Sequence, residues 1–189
     1  MALQQYNIIG ITGKKLSGKD TIADYLCNNY KYKKISFADP LKDINRILFD
    51  LSYEQLYGNL KEEPDSRWFN IKPREFNQFV GTNLFRDHMK ELNEKFENNF
   101  WVIHMKNRIE KLKKKDPNIL IVIPDIRFQN EYDLIKEMKG LIIEVERPNL
   151  IRNDKHISEM FKCTPDIILI NDETKEELYK KIVNKLINF

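Results

Sequence analysis

The chain has 189 residues, 41% of them apolar and 32% charged, enough for one domain with its own core and an ordinary hydrophilic surface. A net charge of +3 is too small for a coat that binds nucleic-acid polymers, and no apolar run reaches the length of a membrane span. Lys14 and Lys15 cut short the early apolar run, unlike a secretory leader, and Cys27 and Cys163 lack metal-ligand spacing, so an intracellular, cytoplasmic protein is expected.

In chain order, residues 6–12 form a β-branched apolar run that reads as a buried strand. Gly13, Gly18 and Lys19 follow in the G-x-x-x-x-G-K spacing of a phosphate loop. Ile22, Ala23, Leu26, Cys27 and Tyr30 then share one helix face. In that context the glycines let backbone N–H groups turn toward phosphate oxygens, and the helix N-terminus adds partial positive charge. Lys19 is placed to bridge the outer phosphates of a nucleoside triphosphate. Asp20 stands where a hydroxyl usually meets Mg2+. Either its carboxylate or the Thr21 hydroxyl takes that role, or Asp20 is an acid favoured in a first helical turn.

Residues 33–38 read as a second strand, and Asp39-Pro40 as an N-cap with proline at the first helical position. Leu41, Ile44, Ile47 and Leu48 continue an amphipathic helix. Lys42 lies in its first turn, where a cation opposes the helix dipole, which makes it a candidate for holding a ligand anion. Ser52 and Gln55 open a short helix that Gly58 ends, and residues 61–65 read as a solvated charge run. A helix is predicted over residues 73–90, with Phe76, Phe79 and Val80 on one face and Arg74 and Gln78 on another. Gly81-Thr82 interrupts it, a place for close approach by a ligand, a backbone or a neighbouring helix. Residues 100–115 form another helix, with Trp101 near its start either as a core or interface residue or as a base-stacking platform.

Residues 118–125 read as a strand buried on both faces, ending in Asp125 at the edge where α/β sheets bind ligands. An acid there either helps to hold Mg2+ or caps the next helix, predicted over residues 130–139. Strands at residues 140–146 and 166–170 flank a polar segment, 149–161, that reads as a basic lid. Asn171-Asp172 leads into a last helix. Strands alternating with helices make this an α/β chain, with a five-stranded parallel sheet covered by helices on both faces.

Several segments resemble the deoxynucleoside monophosphate kinases of phages and viruses, in order over nearly the whole chain. They are residues 13–21, 37–42, Lys61-Glu62, Arg74 with Gln78 and Gly81-Thr82, residues 99–101, residues 124–131, Arg147-Pro148, residues 156–159 and Asn171-Asp172. The resemblance implies a P-loop kinase fold in one domain, residues 1–189, with a helical acceptor-binding insertion near 39–115 and a short lid near 147–161. It implies transfer of the γ-phosphoryl of ATP to a deoxynucleoside monophosphate with Mg2+, in a homodimer. Gly13, Lys14, Ser17, Gly18, Lys19, Asp20, Thr21, Arg147 and Asn171 would contact ATP, with Asp20 or Thr21 and Asp125 organising the metal. Lys19, Asp125, Arg127, Arg147 and Arg152 would serve the transfer. Ala38, Asp39, Lys42, Lys61, Arg74, Gln78, Gly81, Thr82, Trp101, Arg127, His156 and Glu159 would bind the acceptor. Two other readings are a kinase of a hydroxyl acceptor, such as dephospho-coenzyme A or a mevalonate-type phosphate, and a nucleotide-binding regulatory module.

Overall fold

β1 (Ile8–Thr12), β2 (Lys33–Lys34), β3 (Ile121–Ile123), β4 (Leu141–Glu146) and β5 (Ile167–Ile170) form one sheet in the order β2-β3-β1-β4-β5. Every pairing is parallel. The computed structural model describes residues 6–148 and 161–188. Alternate residues of the β-branched strands face opposite ways. Ile9, Ile11, Val122, Ile143 and Val145 pack with Ile22 and Leu26 of α1 (Lys19–Tyr30) and with Leu178 and Ile182 of α8 (Lys175–Asn188). On the other face, a Cβ added to Gly10 would collide with Ile126 and meet Ile135 of α7 (Gln129–Glu137). Helices therefore cover both faces. β1 has β3 on one side and β4 on the other, so the loops after β1 and β3 leave the sheet at its topological switch point.

The chain divides into two compact units. One combines Met1–Ser36 with Lys106–Phe189 and holds the sheet; the other is Phe37–Met105. The second strand is shorter than predicted. Its ladder stops at Lys34, and only the Ile35 amide reaches on, to the Val122 carbonyl at 3.1 Å. Ile35 and Phe37 are buried without being strand. α7 starts one residue before its predicted bounds and ends two before them.

The helical unit holds α2 (Asp39–Leu48), α3 (Tyr53–Leu56), α4 (Pro73–Gln78) and α5 (Met89–Leu92), and α6 (Phe100–Lys115) begins in it. The N-cap of α2 is Ala38, whose methyl side chain cannot cap, and Asp39 already lies inside the helix, so Asp39 is not the predicted N-cap. The buried stripe of α2 also differs from the apolar one. Asn45 is fully buried, whereas Ile47 and Leu48 are 72% and 62% exposed. Ser52 and Gln55 form the expected capping box on α3. The charge run is not wholly solvated. Asp65 is buried and accepts from Gln55 Nε2 and Arg67 Nη2, each at 2.7 Å. Arg67 holds the Asp65 carboxyl far below the usual carboxylate range.

The single helix expected over residues 73–90 is three elements, because Phe79–His88 is a π-helix between α4 and α5. Its bonds span five residues rather than four, which widens each turn. The burial pattern agrees: Phe76, Gly81 and Arg86, five apart, are all buried. In an α-helix such positions would point to different faces. Phe79, expected on one face with Phe76 and Val80, is 55% exposed while both of those are buried.

Candidate active site

The phosphate loop leaves β1 through Gly13 (φ 132°) and enters α1 through Gly18 (φ 110°). Both angles lie where a Cβ is strained, so glycine is required at each. The Lys19 side chain is drawn back into the loop. Its Nζ donates to the Gly13 carbonyl at 2.7 Å and the Lys14 carbonyl at 2.6 Å. The Ser17 hydroxyl is buried and, among the described residues, has no hydrogen-bond partner. A buried hydroxyl without a partner in a phosphate loop is a donor that an anion could satisfy.

Neighbouring segments brace this loop. Asn171, after β5, donates from Nδ2 to the Ser17 carbonyl at 2.7 Å. Arg147, after β4, reaches the Leu16 carbonyl at 3.4 Å. Leu16 itself adopts φ 65°, a left-handed conformation uncommon for a leucine. Thr12 Oγ1 ties the end of β1 to the Ile126 carbonyl at 3.0 Å, beside Asp125, two residues past β3. Asp20 lies on the exposed side of α1. Its carboxylate is 3.2 Å from Lys34 Nζ, which also meets Asp24 at 2.9 Å. Burial pulls the Lys34 pKa down, but the two aspartates outweigh it and leave it raised.

The backbone of Arg127 is held by a residue that the resemblance included within 124–131 without giving it a role. Glu131, buried in the first turn of α7, accepts from the Arg127 backbone amide at 2.8 Å. This bond fixes the loop that carries Asp125 and Arg127. An acid in a first helical turn was the available signal. Glu144 on β4 is half-buried, and burial, with Glu146 second, raises its carboxyl pKa.

In the helical unit, Lys42 Nζ sits 4.0 Å from the centre of the Tyr57 ring. Arg74, at the start of α4, bonds Glu62 at 3.3 Å, next to Lys61. Gln78 closes α4, and Gly81 and Thr82 follow in the π-helix. Trp101 is buried, 5% exposed, and its indole N–H donates to the Gly81 carbonyl at 2.8 Å. It supports the π-helix from inside. Gly81 meets α2: an added Cβ would stand 2.7 Å from Leu41 Cδ2. Arg152, His156 and Glu159 lie outside the described residues.

Mg2+ takes hard oxygen ligands, commonly one or two carboxylates together with phosphate oxygens and water. Asp125 at the switch point, with Asp20 or Thr21 in the first turn of α1, supplies donors of that kind, so the residues fit the ion.

A parallel sheet in this order, with a glycine-flanked lysine loop at its switch point, defines a phosphate-loop nucleotide-binding protein of the kinase type. The sequence model of the deoxynucleotide monophosphate kinases matches residues 7–64 and 64–182. A protein of Acanthamoeba polyphaga mimivirus, assigned as a deoxynucleotide monophosphate kinase, is 42% identical over 94% of each chain. The deoxynucleotide monophosphate kinase of Enterobacteria phage T4 is 24% identical over 95% of this chain and 98% of its own. Among solved structures, a dephospho-CoA kinase from Campylobacter jejuni covers 95% of each chain at 17% identity and a TM-score of 0.48. The chain belongs to the deoxynucleotide monophosphate kinase family. Among the described residues, no helix is long and apolar enough to cross a membrane.

Proposed function

We propose that the chain transfers the γ-phosphoryl group of ATP to a deoxynucleoside 5′-monophosphate, giving the diphosphate. Supporting this reading is the phosphate loop at the switch point, with Lys19 drawn inward and the Ser17 hydroxyl buried, in a member of this family.

The acceptor is a phosphate monoester whose second pKa is about 6, so it arrives largely as a dianion and needs no general base. The difficulty is repulsion. Two anions must be held in line while negative charge spreads over the transferring group. In this reading Lys19 leaves the loop carbonyls to meet the β- and γ-phosphates, and the loop amides and Ser17 hydroxyl hold their oxygens. Asp125, with Asp20 or Thr21, would hold Mg2+, which supplies positive charge to the phosphate oxygens when bound. Arg127, set by Glu131, clamps the acceptor phosphate, since a guanidinium matches two phosphate oxygens at once. Arg147 moves from the Leu16 carbonyl to the transferring group. Lys42, Lys61 and Arg74 serve the acceptor phosphate, while Gln78 and Thr82 serve its sugar and base, with Trp101 behind them. Roles for Arg152, His156 and Glu159 in a lid, and a homodimeric state, rest on the resemblance alone.

The test is incubation of the purified protein with ATP, Mg2+ and each deoxynucleoside monophosphate in turn, following diphosphate formation. Formation of a deoxynucleoside diphosphate is expected. Transfer only to a hydroxyl acceptor, or nucleotide binding without transfer, overturns the proposal.

A further inference from the structure

α2 and the α4–π segment meet along an antiparallel seam within the helical unit. Leu41 lies against Gly81, Asn45 bonds Asn77, and the Phe49 ring stacks on Phe76 at 4.2 Å. The contacts at either end are apolar and undirected. Slipping them costs packing but strands no polar group, because apolar burial itself is non-directional. The middle contact is different. Asn45 is 0% exposed, and its Nδ2 donates to Asn77 Oδ1 at 2.8 Å. Its own Oδ1 is buried and, among the described residues, has no partner. A leucine there would continue the apolar stripe without an orphaned carbonyl, so the amide is not explained by stability.

A buried polar pair inside an apolar seam is satisfied in one register only, which is its best-attested use. Lys42 precedes Asn45 by about one turn, and Arg74 precedes Asn77 by about one turn. A slip of one turn along α2 would carry Lys42 about 5.4 Å past α4. We propose that Asn45 and Asn77 are positioning residues that lock α2 against α4 and so set Lys42 relative to Arg74 and Gln78 for the acceptor nucleotide. This rests on the reading of the helical unit as the acceptor-binding part.

The experiment measures Asn45→Leu, Asn77→Leu and the double variant in the full-length enzyme, with Arg74→Ala as control. Asn45→Leu should keep the wild-type unfolding midpoint or raise it. It should lower kcat/KM for the deoxynucleoside monophosphate at least about 100-fold, the loss that even about 1 Å of misplacement can cause. KM for ATP should not change. Asn77→Leu should match it, and the double variant should be no worse than either, because one contact is lost in all three. Unchanged acceptor kinetics in folded variants, a parallel rise in KM for ATP, or additive losses would each overturn the proposal. Should Asn45→Leu fail to fold, Asn77→Ala at the half-exposed partner reads the same quantities. If Arg74→Ala leaves acceptor kinetics untouched, the acceptor-site reading fails and the register role fails with it. If Arg74→Ala impairs them and the asparagine variants do not, only the register role is lost.

Discussion

Trp101 tests what holds the π-helix. Replacing it with phenylalanine removes the indole N–H that donates to the Gly81 carbonyl at 2.8 Å while keeping a ring in place. The carbonyl keeps its place in the π-helix ladder but loses this second donor, a cost of about 0.5–1.5 kcal/mol. The smaller ring also loosens contact with Phe85 and Phe100, whose centres lie 5.2 and 5.0 Å away. Aromatic pairs of this kind contribute about 0.5–1.5 kcal/mol each, and part of that survives in phenylalanine. Trp101→Phe should therefore lose about 1–3 kcal/mol. Urea unfolding followed by the fluorescence of Trp68 measures this, since Trp68 lies in the same unit and becomes the sole tryptophan. A variant within about 0.5 kcal/mol of wild type, the range of ordinary surface changes, with weakened acceptor affinity instead, would show that Trp101 lines the nucleotide rather than the helix.

Lys19→Met should cut turnover about 100- to 1,000-fold in a diphosphate-forming assay, with circular dichroism unchanged; retained turnover would remove Lys19 from the transfer step. Arg127→Lys keeps the charge and the backbone bond to Glu131 but loses the two-pronged geometry. Acceptor kcat/KM should fall about tenfold or more, as expected for one good charged hydrogen bond, and normal kinetics would make Arg127 structural. Glu144→Gln should be more stable than wild type at neutral pH. The folded Glu144 carboxyl titrates above its unfolded value, so wild type loses stability as pH rises from the ordinary carboxyl range through the raised pKa. Glutamine does not, and the gap should close below the ordinary carboxyl range; a gap that persists there in thermal melts would locate the effect in packing.

The parts of the fold legible in the sequence are those set by local chemistry. The β1–loop–α1 unit was readable because β-branched residues, two glycines and a lysine sit in one window, and the phosphate loop needs nothing distant to form. β3 was readable from its unbroken apolar run, although only Ile121–Ile123 of the expected 118–125 form the strand. The π-helix was not. Gly81 looked like an interruption, whereas five-residue spacing buries it between Leu41 and the Trp101 indole, two partners remote in sequence. Asn45 was hidden for the same reason, since Ile47 and Leu48 are the better apolar residues yet face outward. In the candidate site, Lys19 and Asp125 could be placed from motifs, but the braces could not. The contact of Asn171 with the Ser17 carbonyl spans the whole sheet in sequence and follows only from the order β1-β4-β5.

The pairing of Asp20 with Lys34 bears on which group meets the metal. The pair is solvent-facing, with the aspartate side chain 77% exposed, and exposed pairs contribute only about 0–1 kcal/mol. Lys34 keeps Asp24 if Asp20 departs. Moving Asp20 toward a bound cation is therefore cheap, and the ion pair does not disqualify it. If Asp20 is the ligand, Lys34 would balance its charge whenever it is not on the cation. Removing Lys34 should leave Asp20 facing solvent with its charge unbalanced, and so more disposed toward a cation. Lys34→Met should thus lower the Mg2+ concentration needed for half-maximal turnover if Asp20 is the ligand, and leave it unchanged if Thr21 is.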